Sequence, residues 1–236
     1  MRKELESLSA FLARTAGFTS DSLPHGGVLE TNAGLPLKVG LDGKMEPFMG
    51  NTVVFPLPEE TKREIGRMQE QLYRTCAPAL AEPLEASSFH ITLHDLLSGK
   101  PDRDLRDRIG RIRSAALACV REIAGTGETV RLHSTALFNM VNTSMVLGCA
   151  PADEDSCGRL MTYYEMLQKV VCLDYPLTPH VTLAYFRPGV IPAEFVGRLR
   201  GVVDEIGQRE KIFVEIPVEK VEYQLFSAMN RYWRDM

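Results

Sequence analysis

From residue 51 onward the apolar positions switch between strand and helix periods in a regular order. Asn51 to Leu57 (NTVVFPL) reads as a strand, and Pro58 with Glu59 and Glu60 behind it opens a helix whose buried stripe is Ile65, Met68, Leu72 and Cys76. Ser88 to Leu97 is a β-rich run without proline and reads as the next strand. Pro101-Asp102 starts a second helix, with Leu105, Ile109, Ile112, Ala116, Val120 and Ile123 on one face and Gly125 and Gly127 to end it. Strands at 129–138 and 143–149 follow, joined by Asn139 to Asn142.

The second half repeats this grammar. A helix with stripe Leu160, Tyr163, Tyr164, Leu167 and Val171 leads to a strand at 179–186, then to a helix from Pro192 with stripe Phe195, Leu199, Val202, Val203 and Ile206. Strands at 211–216 and 219–227 close the chain. Each half therefore runs strand, helix, strand, helix, strand, which predicts an α+β fold built on a duplicated unit of about 90 residues. Ahead of it, Leu5, Leu8, Phe11 and Leu12 predict an amphipathic helix over the first fifteen residues. A Gly- and Pro-rich stretch follows, in which Asp42-Gly43 marks a hairpin turn.

Composition narrows the class. The 236 residues are 44% hydrophobic and 25% charged, ordinary for a globular chain, and the net charge of −4 argues against a surface that grips long nucleic acid through its phosphates. Five cysteines at wide spacing, without a C-x-x-C pair, suggest neither a disulfide framework nor a zinc knuckle, and fit a reducing, cytoplasmic compartment. The N-terminus lacks an uninterrupted apolar core and no segment reaches membrane-spanning length, so no membrane partner is expected.

The chemistry lies in a repeated tetrapeptide. His90 to Leu93 and His180 to Leu183 both read His-x-Thr-Leu, each on the central strand of its half; two such matches arise by chance on the order of once in two thousand shuffled sequences. Residues i and i+2 of a strand share a face, so His90 with Thr92, and His180 with Thr182, present an imidazole beside a hydroxyl. Two imidazoles supply a base for the nucleophile and an acid for the leaving group near neutral pH, and two hydroxyls can donate to the oxygens of a phosphoryl group in the transition state.

FHITLHDLL and PHVTLAYF resemble the two signature strands of the 2H phosphoesterase superfamily, which includes RNA 2′,3′-cyclic phosphodiesterases, bacterial RNA 2′-5′ ligase-like enzymes and plant cyclic-nucleotide phosphodiesterases. The extension containing GLDGKMEPFMGNTVV resembles a small bacterial subgroup of unassigned substrate. The resemblance implies two antiparallel sheets flanked by helices around a central cleft, with lobes at about 50–140 and 141–230 inside a domain at 49–236, preceded by an extension at 1–48. It implies a hydrolase with His90, Thr92, His180 and Thr182 catalytic, no cofactor, and a small nucleotide or RNA-end phosphodiester as substrate.

Strict strand alternation adds His94 to the face of His90, and Phe186 to that of His180, as candidate substrate contacts; Tyr223 and Asn51 are further candidates on the last and first strands. Tyr185 then faces the helices. Two rival readings use the same residues: a nucleotide or RNA-end binding module without turnover, and a metal-dependent hydrolase using His90 and His94. His133 and His25 read as solvated, and the arginines at 103, 106, 108, 111 and 113, interleaved with aspartates, read as a solvated helix face.

Overall fold

In the computed structural model, which describes residues 5–235, two four-stranded antiparallel sheets stand beside each other. The elements are α1 (Leu8–Thr15), β1 (Leu29–Glu30), β2 (Met49–Pro56), α2 (Glu59–Cys76), β3 (His90–Gly99), α3 (Arg103–Ala124), β4 (Thr129–Met140), β5 (Ser144–Pro151), α4 (Glu154–Gln168), β6 (His180–Tyr185), β7 (Val190–Ile191), α5 (Ala193–Gly207), β8 (Phe213–Pro217), β9 (Glu222–Ala228) and β10 (Arg231–Arg234). One sheet has the order β10-β9-β2-β3 and the other β6-β5-β4-β8. The two motif strands, β3 and β6, are the edges at which the sheets abut.

The helices form where the periodicity places them. Ile65, Met68, Leu72 and Cys76 are buried on α2, and Leu199, Val202, Val203 and Ile206 on α5. Asp102 caps α3 through the amide of Leu105, and Asp153 caps α4 through that of Ser156, each satisfying a donor that the first helical turn leaves free.

Four expectations need correction. The first helix begins after its Ser7 cap instead of spanning the first fifteen residues, and residues 1–4 of that reading lie outside the described ones. Asp42-Gly43 does form a turn, with Gly43 at φ +84°, but only the Val39–Met45 bridge flanks it, because residues 35–37 coil into a 3-10 turn. The chain closes with an additional strand, β10, which returns along β9. Finally, the sheets do not follow the halves of the sequence: β4 ends the first repeat yet pairs with β5 and β8, while β9 crosses back to pair with β2.

The extension is stitched to this body. β1 pairs with β7, Phe18 stacks on Phe138 at 4.8 Å, and Arg200 donates to the carbonyls of Ser20 and Leu23. Phe11, Leu23, Leu29, Leu35 and Val39 belong to the same apolar core as both sheets. Among the described residues no helix is long and apolar enough to cross a membrane, and all five cysteines are free thiols.

Candidate active site

His90 and His180 are the first residues of β3 and β6, so the abutting edges carry them to one place. Both line a single cavity of about 850 Å³, a volume that accommodates a small ligand, together with Thr92 and Thr182. Each ring is oriented in the same way. Nδ1 of His90 lies 2.8 Å from the carbonyl oxygen of Ser88, and Nδ1 of His180 lies 2.7 Å from that of Thr178. A carbonyl only accepts, so both Nδ1 atoms carry the proton and Nε2 is the free nitrogen of each neutral imidazole. The repeat is thus longer than the tetrapeptide: a hydroxyl residue two positions upstream, Ser88 or Thr178, lends its backbone to the histidine in both copies. The hydroxyls of Thr92 and Thr182 make no hydrogen bond with another described residue, which leaves them free for a ligand.

Burial lowers the pKa of His90 and of His180, with the backbone hydrogen bonds opposing the shift in part. His180 pushes that of His90 further down, whereas the carboxylate of Asp95 raises both. With no anion bound, the site therefore favours two neutral imidazoles.

Strict alternation fails one residue beyond each threonine. Val53 pairs with His94 but Val54 pairs with Thr92, and Met145 pairs with Ala184 but Val146 pairs with Thr182. Leu93 and Leu183, the fourth residues of the two motifs, are therefore β-bulges, and each moves the rest of its strand to the opposite face. His94 turns away from the face of His90, is 1% exposed and packs its ring on Tyr164 at 5.0 Å; it borders the cavity, but neither ring nitrogen has a well-formed hydrogen bond. Asp95 takes the cleft position instead, where its carboxylate accepts a hydrogen bond from Tyr175. By the same displacement Phe186, 0% exposed, lies in the core and away from the cavity, while Tyr185 lines it. His90 and His94 thus stand on opposite faces and do not make a ligand pair, and no group of three His, Cys, Asp or Glu side chains able to hold a metal ion occurs among the described residues.

Asn51 and Tyr223 also lie outside the cavity. Each is 1% exposed, and the Asn51 amide donates to the Tyr223 hydroxyl while its Oδ1 accepts from the Leu97 amide. A second irregularity between β2 and β3 leaves that Leu97 amide without a ladder partner, so Asn51 serves the backbone.

The remaining walls come from parts that the motif does not signal. Tyr232 of β10 lies 5.1 Å from the His90 ring, Phe226 lies 5.1 Å from Tyr232, and Phe48 lies 6.3 Å from Phe226. Gly50 makes room for Phe226, since a Cβ there would strike its ring. Arg14 of α1 donates to Glu6, to the Leu177 carbonyl and to the Thr178 hydroxyl, and so braces the residue that orients His180.

No family profile matches the sequence, and no curated protein matches it. Solved structures do. A conserved protein of unknown function from Agrobacterium tumefaciens aligns with a TM-score of 0.63 at 18% identity over 88% of this chain and 93% of its own. LigT of Escherichia coli complexed with 3′-AMP gives 0.47 at 16% identity over 81% and 97%, and TT0787 of Thermus thermophilus gives 0.47 at 16% over 79% and 95%. The likeness to the Agrobacterium protein, at 0.63, is one of fold along nearly the whole of both chains; the chemistry rests on the residues of the cleft.

Proposed function

We propose that the protein is a metal-independent phosphodiesterase that hydrolyses a small cyclic phosphate or an RNA-end phosphodiester, of the 2′,3′-cyclic or 2′-5′ type, by paired-histidine acid–base catalysis. One observation carries this reading: two imidazoles, each with Nδ1 tied to a backbone carbonyl, border one cavity beside two unengaged threonine hydroxyls. One neutral Nε2 takes a proton from the attacking water as its oxygen bonds to phosphorus. The other, protonated, gives its proton to the oxygen that leaves, so that a cyclic diester and water yield a monoester. Thr92 and Thr182 donate to the non-bridging oxygens as charge builds on them.

The lowered pKa values fit this division of labour. The free site resists protonation, and an anionic phosphodiester between the rings offsets the burial cost of one imidazolium, so substrate and proton bind together. The test is a screen of 2′,3′-cyclic mononucleotides and 2′-5′-linked oligonucleotides, followed by phosphorus NMR in the presence of a chelator. Turnover of one class that is lost in His90→Ala and in His180→Ala is expected. Ligand binding without turnover would replace the enzyme by a binding module, and activity that a chelator abolishes would overturn the metal-independent mechanism.

A further inference from the structure

Two cations line the cavity among the described residues, and they are used differently. Arg14 is committed to Glu6, with its Nε and Nη2 at 2.8 and 2.9 Å from the carboxylate. Lys38, from the extension, has no carboxylate of a described residue within ion-pair distance, and its ammonium makes no hydrogen bond with a described residue. Its Nζ stands 5.2 Å from the centre of the Phe48 ring, at the end of the aromatic series that starts on His90 with Tyr232 and runs through Phe226. A half-buried ammonium that faces a ring and forms no ion pair with a described residue has given up water without gaining a close counter-anion. Burial accordingly lowers its pKa, while Asp95, itself engaged by the Tyr175 hydroxyl, pulls that pKa back up.

We propose that Lys38 is an anion anchor of this cleft: it binds a second phosphate of the substrate, one that is not attacked, so that the preferred substrate is a nucleotide with a further phosphate group beyond the diester that reacts. This rests on the phosphodiester reading above and assigns to the extension a role in specificity. An ammonium set apart from the reacting pair along a wall of rings suits a ligand whose nucleoside portion lies along that wall and whose far phosphate reaches the cation.

The experiment reads binding without turnover, by calorimetric titration of wild type, Lys38→Met and Lys38→Arg with adenosine 2′-monophosphate and adenosine 2′,5′-bisphosphate. Wild type should bind the bisphosphate about ten- to a hundredfold more tightly, the gain of one charge-assisted contact. Lys38→Met should lose that advantage while changing monophosphate affinity by less than about twofold, and Lys38→Arg should keep it. Equal affinity of wild type for the two ligands, equal weakening of both in Lys38→Met, or no binding of either ligand to wild type overturns the assignment. Bisphosphate preference without hydrolysis of any phosphodiester would leave the anchor standing and remove the catalytic reading, so the two fail separately.

Discussion

β3 and β6 are the same strand written twice, and they part company at the same point. Each starts with a histidine whose Nδ1 is held by the carbonyl two residues upstream, continues with an apolar residue and a threonine, and bulges at leucine. Beyond the bulge the cleft receives Asp95 from β3 and Tyr185 from β6, while the opposite face receives His94 and Ala184. On the proposed mechanism the two strands match where proton transfer to and from one phosphorus calls for a matched pair, and they differ where a ligand would present two unlike ends. In that reading duplication would supply the symmetric chemistry, and divergence after the bulge the asymmetric recognition.

The strongest test of the matched part is to remove either imidazole. His90→Ala and His180→Ala should each lower kcat by about a hundred- to ten-thousandfold, with the fold intact by circular dichroism, because both rings border a cavity instead of filling the core. A near-wild-type rate from either variant would break the pairing. Thr92→Val and Thr182→Val should cost less, about tenfold to a few hundredfold in kcat, since each takes one donor from the phosphoryl oxygens and leaves proton transfer in place.

The unmatched positions make a finer comparison. Asp95 raises the pKa of both histidines, so Asp95→Asn should move both limbs of the pH–rate profile toward lower pH. Tyr185→Phe, which removes a hydroxyl engaged with the Met229 sulfur, should leave the limbs where they are. Limbs that stay fixed in Asp95→Asn would show that its carboxylate does not face the pair.

Stability should carry the same signature. His90, His94 and His180 all have pKa values below the ordinary 6.5 or so, so below that pH the unfolded chain binds protons that the folded chain refuses. The melting temperature should therefore fall as pH drops beneath about 6.5, until the folded values are passed, and replacing His90 and His180 by Asn should flatten that fall. The smallest effect concerns His94. Its ring is buried without a well-formed hydrogen bond, so His94→Leu should be between neutral and about 1 kcal/mol stabilising by thermal melts; a loss above about 2 kcal/mol would reveal an interaction of the ring that matters to the fold.

The helices and most of the strands are legible in the sequence because each depends on local periodicity, and the four motif residues stand out because the tetrapeptide is repeated. The bulges escape a strict two-residue alternation, although they leave a mark: the apolar positions are odd-numbered at Ile91 and Leu93 and even-numbered at Leu96, and they shift in the same way from Val181 and Leu183 to Phe186. That slip explains why alternation assigns His94 and Phe186 to the cleft in exchange for Asp95 and Tyr185. Asn51 and Tyr223 mislead for another reason, since Asn51 meets its partners Leu97 and Tyr223 across 46 and 172 positions and only the folded sheet introduces them. Tyr232, Phe48 and Lys38 belong to a four-residue terminal strand and an irregular extension, where periodicity has nothing to report.

Whether the two imidazoles share one site can be read by titrating His90 by NMR in the wild type and in His180→Asn. His180 lowers the pKa of His90 in the intact cleft, so its removal should raise the midpoint of the His90 titration toward the ordinary value. A His90 midpoint that does not move when His180 is gone would mean that the two rings do not sense each other, and would contradict the shared site.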